Sequence, residues 1–356
     1  MQRDLRLRIQ RAASAALVMF WLGAGSARAQ SYAASPDVAP AGREVVDEAG
    51  RTVMIPQPVQ RIVSLAPSLT ETLYALGLQD RLVGDTDYCD YPEDARKKTK
   101  VGGAINPNLE QIAALRPDLV LVTKSLNRYD TVRALDSLGI PAYATDPHTV
   151  DEIVSSTERL AEILGVPEAG NALALDLEHH LSALKQRLGA FPPRRVLFIV
   201  WAEPLISIGK DTFIADALRE AGALSIVDST QSWPQMNLEE VVKLQPEFLV
   251  FAASHGGMAA RDIDVLTSLP GWRILDAVRN RRFAVISDAV NRPAPRIISA
   301  IEDLARQLHP EAFIEVQEKE KLEKEIPPKT NRSSANPAHR AMDRETPSEE
   351  ACACAR

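Results

Sequence analysis

The side chains of this 356-residue chain best able to do chemistry are six histidines and three cysteines, and their spacing argues against most of it. The histidines are His148, His179, His180, His255, His309 and His339, and none lies in a metal-ligand pattern. Adjacent helix positions such as His179 and His180 point in two directions, which suits solvent better than one metal ion. Cys89 stands alone in the body of the chain, with Cys352 and Cys354 at its end, so neither a disulfide framework nor a zinc cluster is expected. Nucleotide chemistry on a Rossmann-like half wants a glycine-rich phosphate loop after the first strand. That position reads Ala66-Pro67-Ser68-Leu69-Thr70, and no G-x-G-x-x-G follows. An exported enzyme of two Rossmann-like halves is the rival reading, and it lacks this loop. No catalytic residue, metal or cofactor is predicted, and the chain is not expected to be an enzyme. Binding remains, which needs apolar and aromatic walls with a few polar groups.

The N-terminus sets the compartment. Arg3, Arg6, Arg8 and Arg11 precede an apolar run from Ala12 to Gly23, and Ala27-Arg28-Ala29 has the small-x-small form of a cleavage site. This predicts a secretory signal peptide and an exported protein. The run is too short for a spanning helix, which wants ~20 residues. Net charge is −7 with both signs interspersed, which argues against nucleic acid as partner.

Arg43 to Pro58 reads as two short strands around the turn cluster Asp47-Glu48-Ala49-Gly50. From Arg61 to Leu65 the chain becomes a short apolar strand, followed by a helix from Glu71 to Leu76 capped by Ser68 or Thr70 and stopped at Gly77. Further strands are predicted at Leu119 to Val122, Ala142 to Thr145, Val196 to Val200, Phe248 to Ala252 and Phe283 to Ile286, with helix-period segments between. Such alternation predicts an α/β fold with largely parallel sheets.

An internal repeat divides the chain. Asn108-Leu109-Glu110-Gln111-Ile112 through Arg116-Pro117-Asp118-Leu119-Val120 matches Asn237-Leu238-Glu239-Glu240-Val241 through Gln245-Pro246-Glu247-Phe248-Leu249. Each copy reads as a capped helix, a proline break and a buried strand, and apolar strands at Arg61 to Leu65 and Arg195 to Ile199 open the two halves. Between the halves Pro167 suits a first helical turn, and Leu173, Leu175, Leu177, Leu181, Leu184 and Leu188 recur at largely helical spacing until Phe191-Pro192-Pro193. A helix of about 23 residues would run roughly 35 Å, long enough to brace two lobes. From about Gln317 apolar periodicity fades into Lys, Glu, Pro, Ser and Asn. The expected organisation is a signal peptide over 1–29, a lead-in and short hairpin over 30–60, an α/β lobe over 61–166, a bridging helix over 167–190, a second α/β lobe over 191–316 and a disordered tail over 317–356.

Asp47-Glu48-Ala49-Gly50-Arg51 followed by Arg61-Ile62-Val63-Ser64-Leu65-Ala66-Pro67-Ser68-Leu69-Thr70-Glu71 resembles the start of the periplasmic iron-chelate and vitamin B12-binding protein family. The resemblance continues through Gly77, Val83-Gly84, Asp90-Tyr91-Pro92, Val101-Gly102-Gly103, Gly209-Lys210, Ala221-Gly222, Trp233-Pro234-Gln235 and Pro295-Arg296. Within the family, Tyr88-Cys89-Asp90-Tyr91-Pro92 and Trp233-Pro234-Gln235 are most similar to the vitamin B12-binding members. This implies two related Rossmann-like lobes bridged by one long helix, ligand held in the cleft between them, and delivery by a monomer to the membrane permease dimer of an ABC importer.

The resemblance also implies site residues. Tyr88, Trp233 and the stretch from Trp201 to Ile206 fall on the cleft walls. Two positions that carry tryptophan in the vitamin B12 binders are Ala104 and Thr123 here, and a further aromatic wall position is Ile206. This cleft is therefore expected to be less aromatic. Cobalamin or a related corrinoid is the expected cargo. A ferric siderophore or haem is the alternative, for which Arg128, Arg292 and Arg296 would offer forked hydrogen bonds to carboxylates. Glu110 and Glu239 match the family's one surface glutamate per lobe that meets arginines of the permease. A carboxylate near a helix start also complements the dipole.

Overall fold

The computed structural model describes residues 42–253 and 258–314. The expected signal peptide, most of the lead-in, the tail and Cys352 and Cys354 lie outside the described residues. The chain divides into two units between Leu175 and Asp176.

The first unit opens with an antiparallel hairpin, β1 (Gly42–Val46) and β2 (Thr52–Pro56), around the predicted turn. Asp47 closes that turn by accepting the Ala49 and Arg51 backbone N–H groups. It also pairs with the Arg51 guanidinium. A four-stranded sheet follows: β3 (Ile62–Ser64), β4 (Leu82–Asp85), β5 (Leu119–Thr123) and β6 (Ala142–Thr145), in the order β4-β3-β5-β6 and parallel throughout. These strands are apolar on both faces because helices cover both. Alternation along β5 shows it: Leu119 and Leu121 enter one core with Leu73 and Leu160, while Val120 and Val122 enter another with Ile112 and Leu135.

The helices are α1 (Pro67–Ala75), α2 (Leu109–Ala114), α3 (Tyr129–Ser137) and α4 (Val150–Ile163). Helix α1 starts earlier than the expected Glu71, and neither Ser68 nor Thr70 caps it. Its N-cap is Ala66, because Pro67 at the first position needs no N–H partner and has its φ preset. Ser68 and Thr70 lie inside the helix, buried.

The long helix α5 (Pro167–Leu188) lies where it was expected, and the division between the units falls within it. Leu177, Leu181, Leu184 and Leu188 are buried, and Leu173 packs on the first unit's core. Leu175 does not join them and is exposed, because two residues from Leu173 or Leu177 is about 200° around a helix.

The second unit contains β7 (Arg194–Ile199), the two-residue strands β8 (Trp201–Ala202) and β9 (Leu205–Ile206), α6 (Phe213–Glu220), β10 (Ala223–Ser225), α7 (Leu238–Leu244), β11 (Phe248–Ala252), α8 (Met258–Ser268), α9 (Asp276–Arg279), β12 (Phe283–Ile286) and α10 (Ile297–Leu308). Its sheet runs β10-β7-β11-β12, again all parallel. In both units the first strand lies between the second and the third, with the fourth at the far edge.

The repeat extends to backbone detail. After α2 and α7, Arg116 and Gln245 take positive φ values of 45° and 41°. The Asp118 and Glu247 N–H groups then donate to the Arg61 and Arg195 carbonyls. Arg61 and Arg195 return their guanidinium groups to the Leu115 and Leu244 carbonyls at 2.6 and 2.8 Å, satisfying helix-end acceptors that have no partner inside the helix.

Candidate functional site

In open parallel sheets ligands bind beyond the carboxyl ends of the strands, at the point where strand order reverses. In the first unit all four strands end on a buried polar residue: Ser64, Asp85, Thr123 and Thr145. In the second unit the corresponding ends are Ile199, Ser225, Ala252 and Ile286, mostly apolar.

Tyr88 sits in the loop after β4 and is 65% exposed. The backbone beneath it is tightly held. The Cys89 N–H donates to Thr86 O, and the Asp87 N–H to Gly102 O. The Cys89 thiol is buried within 3.2 Å of both Thr70 Oγ1 and Thr86 Oγ1, and burial raises its pKa. Thr70 Oγ1 donates onward to Ser64 Oγ, so the loop is tied to the end of β3. Below it Lys100 Nζ reaches Asp85 Oδ1 at 2.8 Å, Cys89 O at 2.9 Å and Ala95 O at 3.1 Å. Burial pushes the Asp85 carboxyl up to about 6, against the opposing pull of Lys100.

Ala104 and Thr123 are close together in structure but present almost no surface. The amide of Asn127 joins them: its oxygen accepts the Thr123 N–H, and its nitrogen donates to Leu65 O and Ala104 O. Asn127 thus ties the ends of β3 and β5 across the reversal point. Nothing in the sequence marks it, since one asparagine in a polar loop carries no pattern.

In the second unit three predicted residues come together. Trp201 and Ile206 are direct partners in the β8–β9 hairpin, and Ile206 bridges to Gln235, two residues after Trp233. The Ser207 N–H donates to Pro234 O, and the Met236 N–H to Leu205 O, pinning the Trp233 segment along the hairpin. Trp201 is 61% and Trp233 54% exposed, and the Trp201 indole N–H donates to Glu203 O. Behind this segment Gly209 and Lys210 donate their N–H groups to Ser232 O and Ser229 O. A side chain at Gly209 would meet Gln231 O at 1.9 Å, so only glycine allows the approach. The Lys210 ammonium bonds Asp228 at 2.6 Å, which raises the lysine and lowers the carboxyl.

One further aromatic residue emerges from the structure. Tyr129, the first residue of α3, is 68% exposed beyond the end of β5. The exposed aromatic residues among the described ones are Tyr88, Tyr91, Tyr129, Trp201 and Trp233, and each follows the carboxyl end of a strand of its own unit.

Arg128 is exposed, with Nη1 3.3 Å from Asn106 Oδ1. Arg292 and Arg296, beyond β12, both pair with Asp288 and are largely covered. Glu110 and Glu239 are exposed in the first turns of α2 and α7. Capping falls to their neighbours: Asn108 accepts the Gln111 N–H, while Asn237 and Glu240 form a capping box. Among the described residues no group of three or more His, Cys, Asp or Glu could hold a metal ion, and no helix is long and apolar enough to cross a membrane.

Comparison with known proteins agrees with this architecture. Residues 62–290 match the family model described as periplasmic binding protein. A vitamin B12-binding protein of Yersinia pestis (strain Pestoides F) is 31% identical over 253 residues, covering 71% of this chain and 87% of the relative. The crystal structure of the periplasmic vitamin B12-binding protein of Vibrio cholerae superposes with a TM-score of 0.61 at 30% identity, covering 72% of this chain and 99% of that one. A periplasmic heme-binding protein from Pseudomonas aeruginosa gives 0.64 at 25% identity, covering 71% and 93%. With two parallel sheets of the same strand order, a repeat carried down to its hydrogen bonds and a family match across both units, this chain belongs to the periplasmic binding proteins.

Proposed function

We propose that this protein is the periplasmic solute receptor of an ABC importer, and that its cargo is cobalamin or a related corrinoid. The observation that carries this reading is the placement of the exposed aromatic residues, each following the carboxyl end of a sheet strand, with the Tyr88 loop and the Trp233 segment fixed by backbone hydrogen bonds. A corrinoid is a broad ring fringed with amides. Flat aromatic side chains on fixed loops give it contact area at little entropic cost. Tyr88 and Trp233 are the main contacts in this reading, with Trp201 and Ile206 beside Trp233. Ala104 and Thr123, nearly covered, offer the ligand little surface of their own, so in this reading they leave room rather than make contact. The relatives named for vitamin B12 support the cargo.

A second reading is a ferric chelate or haem. It is favoured by Arg292 and Arg296, largely covered beside Asp288, since guanidinium groups suit carboxylates, and by the heme-binding structural relative. Titration calorimetry of the purified protein with cyanocobalamin, haemin and a ferric siderophore decides between them. Saturable one-to-one binding of cyanocobalamin is the expected result. Binding of an iron chelate alone would move the cargo to iron and leave the receptor role intact.

Glu110 and Glu239 are proposed as the contacts with the permease. Both carboxylates are exposed and relieved of capping by Asn108, Asn237 and Glu240. Charge pairing at such positions would set orientation and association rate more than affinity.

A further inference from the structure

We infer that Lys100 and Asp85 are positioning residues for ligand binding, holding the Tyr88 loop in a fixed conformation from beneath. The inference rests on the reading of Tyr88 as a ligand contact. The loop from residue 86 to 100 leaves the sheet at the end of β4 and returns beside it, where Asp85 and Lys100 form a parallel bridge. Lys100 spends its three donors on this loop and the strand end it leaves: on Asp85 Oδ1, on the carbonyl of Cys89 next to Tyr88, and on Ala95 O. A lysine whose three protons all meet acceptors in one loop and at its root acts as an internal crosslink. Asp85 has no exposed side-chain surface, and its Oδ2 accepts no hydrogen bond among the described residues. The pair therefore acts on the ligand through Tyr88.

The charged groups facing Asp85 are Lys100, then Lys98 and Asp87 at longer range, with Cys89 and Tyr74 close enough to sense it. Burial raises the Asp85 carboxyl to about 6. At pH 7.5 it is ionised and holds Lys100. As pH falls through 6 it takes up a proton and the charge-assisted bond weakens.

Its contribution to fold stability moves the other way. A carboxyl with a raised folded pKa binds its proton before the unfolded chain does, so acidification from about 6 to about 4 relieves a cost. Loop positioning and fold stability thus respond to pH with opposite sign.

The test compares the wild type with Lys100→Met, Lys100→Arg, Asp85→Asn and the double variant Lys100→Met/Asp85→Asn, which leaves no unpaired buried charge if Lys100→Met folds poorly. Hydrogen exchange of the amides over residues 86–91, corrected for intrinsic rates, reads the loop without ligand, and calorimetry with cyanocobalamin reads its consequence. Expected results are faster loop exchange and about tenfold weaker binding in Lys100→Met and the double variant, with recovery in Lys100→Arg. Asp85→Asn should bind weakly and evenly from pH 5 to 7.5, while wild-type affinity falls toward it as pH drops through 6. Unchanged exchange in both Lys100→Met and the double variant would overturn the inference, as would loosened exchange with undiminished affinity. If the wild type does not bind cyanocobalamin, the corrinoid reading fails and the ligand-free exchange decides the positioning role alone.

Discussion

Gly209→Ala is the most informative single substitution, because it adds one methyl group behind the segment that carries Trp233. The added Cβ would lie 1.9 Å from Gln231 O and 2.9 Å from both Gln231 C and Ser229 O, all backbone atoms without a flexible end to yield. Contacts under 3.0 Å are essentially never seen, so residues 229–232 must withdraw by about 1 Å. Overpacking of this kind costs about 1–3 kcal/mol. Withdrawal also stretches the bonds from the Gly209 and Lys210 N–H groups to Ser232 O and Ser229 O, worth about 1 kcal/mol each before water replaces them. A net loss of about 2–3 kcal/mol should lower Tm by roughly 5–10 °C. Trp233 moves with its segment, so ligand affinity should fall at least about tenfold. Leu304→Ala is the control. It empties the fully buried core position of α10, costs about 2–5 kcal/mol and leaves the Trp233 segment in place. Thermal melts and calorimetry on both variants give the answer. If Gly209→Ala melts early yet binds as tightly as the control, Trp233 is not positioned by this packing.

Trp233→Ala should weaken ligand binding by about tenfold or more, as truncation of an aromatic anchor does, with little change in Tm for a half-exposed ring. Unaltered affinity in calorimetry would remove it from the contact surface. Glu110→Ala combined with Glu239→Ala should leave solution binding intact and abolish uptake into vesicles carrying the permease, and normal uptake would refute the docking role. Asn127→Ala should cost about 2–4 kcal/mol in denaturant unfolding, because it strips partners from the Thr123 N–H and the Leu65 and Ala104 carbonyls in a covered site. A loss under about 0.5 kcal/mol would show that water replaces the amide.

The parallel α/β architecture was legible because both sheets are covered on both faces. Strands such as Leu119 to Val122 and Phe248 to Ala252 therefore read as unbroken apolar runs, and β5 extends the first of these by only one residue. The repeat was legible for a related reason. Helix, proline break and strand must follow in that order to build each half, and Asn108 and Asn237 mark both helix starts. What periodicity missed was short or held by non-local partners. Ala223–Ser225 is three residues long, and β8 and β9 are two each. The first is a strand because Arg194 to Val196 lie beside it, and the other two because they pair with each other, with Gln235 bridging to Ile206. Thr70 looked like a cap and became a buried link to Ser64 and Cys89, since Pro67 had already begun the helix.

By itself the sequence determined the two-unit plan, through local apolar and turn patterns, and the family, through the order of its motifs; the resemblance carried by those motifs is what proposes Tyr88 and Trp233 as contacts. Tertiary structure alone decided which side chains hold the segments that carry these two residues. Lys100 could bond many acceptors, Asn127 could face solvent and Gly209 could be a simple turn residue. Each acquires its role only when distant backbone arrives within hydrogen-bond or van der Waals reach: Asp85 and Cys89 beside Lys100, Leu65 and Ala104 beside Asn127, and Gln231 against Gly209. Such proximity is a property of the packed chain, and no local pattern encodes it.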